Sequence, residues 1–135
     1  MRVFRLRPCH REIMALNKKY RTVDEDVGYV ETLLLNDGHL PADPYPGLQF
    51  RRNGEPVRVL KARVLVRQLG GKSSGLRLLY EITDAQGIQC CILLHTYVHA
   101  QNISENDVRR TVLERLGMYE ARLQSIDAVS IEIRD

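Results

Sequence analysis

Between residues 57 and 99 the chain alternates in strand fashion three times. The two breaks between the runs, GGKSSG at 70–75 and DAQG at 84–87, are too short for a crossover helix. Strands joined this way pair antiparallel, so this stretch commits the chain to a sheet. In the first run Leu60, Ala62, Val64 and Val66 point one way while Lys61, Arg63, Leu65 and Arg67 point the other. One face is core and the other mostly basic. The second run, Leu76 to Thr83, sets Leu76, Leu78, Tyr80 and Ile82 against Arg77, Leu79 and Glu81. The third, Ile88 to His99, is more apolar and is expected at the centre, with His95, Tyr97 and His99 projecting from one face by parity.

Helical signals flank this block. Val3 to Leu6 reads as a short opening strand, and after Pro8 the residues Ile13, Leu16 and Tyr20 recur at helical spacing, with Lys18, Lys19 and Arg21 near the dipole-favoured end. Thr22-Val23-Asp24-Glu25 matches a capping box and opens a second helix with Val27, Val30 and Leu34 buried and Gly38 as its stop. The two helices read as an antiparallel pair. From His39 to Pro56 the prolines and glycines exclude a long regular element. Ser104 to Asp107 caps a last helix with the stripe Val108, Val112, Leu116 and Leu123, and Val129, Ile131 and Ile133 suggest a final strand or an extended tail on a sheet edge. The class is α+β: a small twisted antiparallel sheet with two N-terminal helices gathered on one side and a C-terminal helix.

At 135 residues, 44% hydrophobic and 27% charged, the chain has material for one core, and residues 1–135 read as a single domain. No apolar run approaches the ~20 residues of a membrane span, and MRVFRLRPCHRE lacks the apolar middle of a secretory signal, so a cytoplasmic location is expected. Cys9, Cys90 and Cys91 are odd in number, two of them adjacent, which argues against a disulfide framework. The net charge is only +3, but Arg58, Lys61, Arg63, Arg67, Lys72 and Arg77 stand between Val57 and Tyr80 without one acidic residue. Such a field is the footprint of a phosphate-rich or acidic partner, or else a solvated basic face.

Two familiar sites do not fit. His95 and His99 are separated by about 13 Å along an extended strand, too far to share a metal ion without a bend. Gly70-Gly71-Lys72-Ser73-Ser74 lacks the full phosphate-loop pattern and precedes a strand instead of a helix.

The segment GKSSGLRLLYEI resembles the glycine-lysine loop and Arg-bearing strand of toxins in the RelE/HigB branch of the RelE/ParE superfamily, encoded in bacterial toxin-antitoxin operons. KKYRTVDEDVGYVETLL is similar to that family's second-helix entry, LKARVLV to its basic strand, and ILLHTYVHAQNISENDV to its last strand and capped helix. The likeness spans about three quarters of the chain, and the succession of segments carries it more than any one of them. It implies a ribosome-dependent mRNA endonuclease that uses neither metal nor cofactor and is neutralised by a cognate antitoxin. The RNA 2′-hydroxyl would attack the adjacent phosphorus, leaving a cyclic phosphate and a free 5′-hydroxyl. The protein then moves two protons and stabilises charge on the phosphate.

On that resemblance Arg77 clamps phosphate oxygens and Lys72 adds charge on the loop, while Lys61, Arg63 and Arg67 hold the RNA backbone. His99 stands where the family often has a lysine, and an imidazole with a reference pKa of about 6.5 suits an acid or base. Tyr97 would orient it or stack on a base, and His95 is a further candidate on the same face, although its place deeper in the strand points to a structural role. The chain departs from the family after Arg115. From about residue 116 it carries GMYEARLQSIDAVSIEIRD, where Tyr119 and Arg122 either contribute to the site or pack against a second protomer or the antitoxin. Two rivals share the fold: a ParE-like protein that binds DNA gyrase, and an inactive RNA-binding relative.

Overall fold

The computed structural model describes residues 1–69, 75–85, 87–123 and 131–133. Strand β1 (Arg2–Leu6) runs directly into helix α1 (Arg7–Lys19), with Pro8 in the first turn, where a missing amide hydrogen costs nothing. A short turn leads to α2 (Val23–Asp37), which ends on Gly38 at φ 76°, the left-handed conformation glycine adopts without strain. The capping box is not formed. Thr22 holds the N-cap position but makes no side-chain cap, and its hydroxyl is buried without a hydrogen-bond partner. The cap comes instead from α1, where Asn17 Oδ1 accepts the Asp24 amide at 3.0 Å.

The proline-rich segment holds only two-residue strands, β2 (Asp43–Pro44), β3 (Arg51–Arg52) and β4 (Glu55–Pro56). β3 and β4 pair around Asn53 and Gly54, both at positive φ, the pattern of a tight hairpin turn. Then come the long strands β5 (Arg58–Val64), β6 (Leu76–Ala85) and β7 (Ile88–Val98), helix α3 (Glu105–Leu123) and β8 (Ile131–Ile133). Ser104 caps α3 as expected, its hydroxyl accepting the Asp107 amide at 3.1 Å. No helix among the described residues is long and apolar enough to cross a membrane.

The main sheet has the order β2-β5-β6-β7-β1-β8. β7 is central, as its apolar sequence implies, and is buried from Cys90 through Val98. The α+β class stands, with two corrections. The sheet is mixed, because β1 lies parallel to β7. Two helices and a long loop separate β1 from β5, so no hairpin dictates its direction. The helices, moreover, are divided between the two faces. Arg5 bonds Glu31 of α2 on one side, while Glu81, of opposite parity, receives the Tyr119 hydroxyl of α3 on the other. β8 pairs antiparallel with β1, so the C-terminal segment extends the sheet edge.

A register shift in the β6–β7 ladder decides which side chains meet. Tyr80 pairs with Leu93 and Leu79 with His95, leaving Leu94 as an inserted residue. Before the bulge the odd residues Cys91 and Leu93 face the α2 side. After it His95 and Tyr97 face the α3 side, with Leu79 and Arg77.

Candidate nucleic-acid interface

Past the bulge, three strands present one chemical face. Lys61 and Arg63 of β5, Arg77 of β6 and Tyr97 of β7 share it, and the register sets Arg63 directly opposite Arg77 and Arg77 opposite Tyr97. Like charges directly opposed across a ladder repel, and the two guanidinium groups here differ in exposure. Arg63 is exposed and has no ion-pair partner among the described residues. Arg77 is only 7% exposed, and its Nη1 donates to the Gly75 carbonyl at 2.8 Å, which fixes the guanidinium beside the loop.

Lys61 is engaged internally. Its Nζ donates to Glu105 Oε1 at 3.2 Å and lies 5.9 Å from the ring centroids of both Tyr45 and Tyr97. Burial works against its charge, but the Tyr97 and Glu105 oxygens outweigh that and hold its pKa above the ordinary lysine value. Burial, the largest single effect, pushes the Glu105 pKa up, but the bonds from Lys61 and Tyr45 and the nearby charges together outweigh it and hold the carboxylate below its ordinary value. The Tyr45 hydroxyl donates to Glu105 Oε2 at 3.0 Å, and burial followed by that carboxylate pushes its pKa up. The Arg109 guanidinium covers the Tyr45 ring at 5.6 Å. Gly47 allows this approach: at φ 81° it takes a conformation that suits glycine, and a Cβ there would sit 3.1 Å from Arg109 Nε.

The histidines separate. His95 is buried and its Nδ1 lies 2.9 Å from Glu12 Oε2 of α1. Glu12 also accepts two bonds from Arg115 of α3, at 2.6 and 3.0 Å, and the Thr96 amide at 3.2 Å, while Arg115 donates to the Leu94 carbonyl at 2.8 Å. The reason is topological. β1 stops pairing with β7 at Arg5↔Leu93, and the backbone groups beyond that point need other partners. His95 thus belongs to a structural cluster. His99 does not project from the strand at all: β7 ends at Val98, and His99 opens an exposed 3₁₀ turn (His99–Gln101). It is exposed, one residue past the end of the strand. Tyr97 is 6% exposed, packed against His95 at 5.4 Å between ring centroids and against Lys61, so it has no open face for a base.

Arg67 does not join the row. It lies beyond the end of β5 and binds α2 on the other side, to Glu25 at 2.7 Å and Asp26 at 3.0 Å. Lys72 falls in segment 70–74, outside the described residues, as does the side chain of Arg122. Tyr119 is fully buried, and its hydroxyl donates to Glu81, which also receives Arg52 from the β3–β4 hairpin. It is a core residue. Among the described residues, no group of three or more His, Cys, Asp or Glu side chains is placed to hold a metal ion.

Sequence reasoning missed Tyr45, Glu105 and Arg109. The available signal was the i, i+4 spacing of Glu105 and Arg109, which puts both on one helix face. Nothing in the local sequence of Tyr45 points to β5. Comparison with protein-family models, with curated proteins and with solved structures finds no match.

Proposed function

We propose that this protein binds single-stranded RNA across the β5–β6–β7 face and cuts it without a metal, as the toxin of a bacterial toxin-antitoxin pair acting on mRNA at the ribosome. The observation that carries this reading is the exposed Arg63, opposite Arg77 on the ladder, together with an exposed His99 one residue past the end of β7. The exposed Arg63 guanidinium gives a phosphate bidentate donors on a rigid support, and Arg77, only 7% exposed, adds its charge from beneath. His99, at the end of the neighbouring strand, exchanges the proton, as base toward the 2′-hydroxyl or as acid toward the leaving 5′-oxygen. Arg77 and Arg63 stabilise the charge added to the phosphate as the P–O bond to the 2′-oxygen forms and the bond to the 5′-oxygen breaks. Tyr97 acts through its contact with Lys61. The cognate antitoxin, on this reading, is an acidic chain that covers the same face.

The test is a bacterial cell-free translation reaction with the purified protein, followed by mapping of new mRNA 5′ ends. Cuts within translated codons, lost in Arg63→Ala and His99→Ala, are expected. A second reading, a relative that binds RNA without cutting it, draws support from the engagement of Lys61 by Glu105 and the burial of Tyr97. Intact mRNA together with retained RNA binding would favour it. Intact mRNA and inhibited DNA supercoiling would move the assignment to a gyrase-binding protein.

A further inference from the structure

At one end of the basic face, side chains from a loop, a strand and a helix converge on a single carboxylate. Glu105, the first residue of α3, accepts from Lys61 Nζ at 3.2 Å and from the Tyr45 hydroxyl at 3.0 Å. Arg109, one turn further along α3, stacks on Tyr45 and adds its charge to the same spot. Its Nε is buried without a hydrogen-bond partner, and among the described residues its guanidinium forms no ion pair. An ammonium, a phenol, a guanidinium and the positive end of a helix dipole are the groups that hold phosphate oxygens. Here they surround a side chain held by two hydrogen bonds at the protein surface. Glu105 is 58% exposed, and an exposed ion pair of this kind contributes little to stability. It can rotate into water without disturbing the core.

We infer that Glu105 occupies, in the unliganded protein, a site built for a phosphate: a phosphodiester of single-stranded RNA displaces its carboxylate from Lys61, Tyr45 and Arg109. The inference rests on the RNA reading of this face. It extends the row Arg63–Arg77 by Lys61 and Arg109 once substrate is bound, and it gives Glu105 the role of an internal competitor that sets affinity. No covalent step is involved; one anion replaces another. Lys61 is two residues from Arg63 on the same strand face, about 7 Å away, so one backbone can engage both.

The test compares Glu105→Gln with Asp107→Asn. Both remove one negative charge from the first turn of α3, and Asp107 pairs with Arg110 at 3.2 Å, outside the Lys61 cluster. Each protein is titrated with inorganic pyrophosphate and with a fluorescein-labelled single-stranded RNA at several salt concentrations. Glu105→Gln is expected to bind both probes about 1.5- to fivefold more tightly than Asp107→Asn, the range an exposed ion pair spans. Its RNA salt slope should match that of Asp107→Asn, because the same cations meet the strand in both complexes once Glu105 is displaced. Equal effects of the two variants on affinity would mean that only net charge matters and would overturn the inference, as would the absence of pyrophosphate binding by any of the proteins. Tighter pyrophosphate binding by Glu105→Gln with no RNA binding by any form would keep the phosphate site and remove the RNA reading.

Discussion

Glu12 of α1 and Arg115 of α3, 103 residues apart, form a two-bonded ion pair across the end of β7. The pair fastens helices from opposite ends of the chain to the backbone of one strand, through the Thr96 amide and the Leu94 carbonyl. Removing either partner leaves the other charge partly buried. Arg115→Met is expected to lower unfolding free energy by about 2–3 kcal/mol, less than for a fully buried pair because Glu12 keeps some exposure. Urea denaturation measures this, and Glu12→Gln combined with Arg115→Met should cost clearly less than the two single losses added.

The same carboxylate sets an acid limit. Burial raises the pKa of Glu12, but hydrogen bonds from His95 and Arg115 outweigh it, so the folded-state value lies below the ordinary 4.5. The unfolded state therefore takes up the proton first as pH falls. Stability from Glu12 is complete above the ordinary value and is lost as pH drops toward and through the lowered one. Thermal melts between pH 6 and about pH 3 should show this decline, and Glu12→Gln should flatten it. An unchanged slope in the variant would assign the decline to other carboxylates.

Arg5 is fully buried and bonds Glu31 at 2.8 and 3.0 Å and Asp24 at 2.9 Å. Arg5→Ala should destabilise the fold by roughly 3–5 kcal/mol, since Glu31 is left charged beneath α2. The double variant Arg5→Met with Glu31→Leu should recover most of that loss in the same denaturation experiment. A double variant as unstable as Arg5→Ala would show that the network does more than compensate its own charges.

Arg63 and Arg67 offer a contrast within one short stretch. Arg63→Ala should weaken binding of single-stranded RNA and reduce the salt slope by about 0.7 while leaving fold stability within about 0.5 kcal/mol, because Arg63 is exposed. Arg67→Ala removes a tie to α2 and should leave RNA affinity within about twofold. Filter binding at several salt concentrations distinguishes the two; a larger loss of affinity for Arg67→Ala would reverse the assignment.

Tyr119→Phe removes the hydroxyl that Glu81 receives in the core. Glu81 keeps Arg52, so the expected cost is about 1–3 kcal/mol without loss of the fold. An RNA affinity equal to that of the wild type would separate this buried group from the binding face.

What could be read in advance followed the range of the interactions involved. The strands β5, β6 and β7, the stop at Gly38 and the Ser104 cap are local, and alternation or a single residue type declares each of them. The parallel placement of β1 and the division of the helices between faces depend on long connections, which carry no local signature. The capping-box pattern at Thr22 lost to a side chain from another helix, Asn17. In the candidate site the cations Lys61, Arg63 and Arg77 were visible because strand parity groups them. Arg67 and His99 were grouped with them only by extending that parity past the ends of β5 and β7. Tyr45, Glu105 and Arg109 reach Lys61 through tertiary packing alone.

The inserted Leu94 gives β7 one position at which residue count can change without consequence for the residues that follow. Deleting it would leave Leu93 opposite Tyr80 and His95 opposite Leu79 in an unbroken ladder, so His95 and Tyr97 would stay on the basic face. What would go is the local bend and extra twist of the bulge. Among relatives of this chain, a spacing between the Cys90-Cys91 pair and Tyr97 that is shorter by one residue is therefore compatible with the same chemistry.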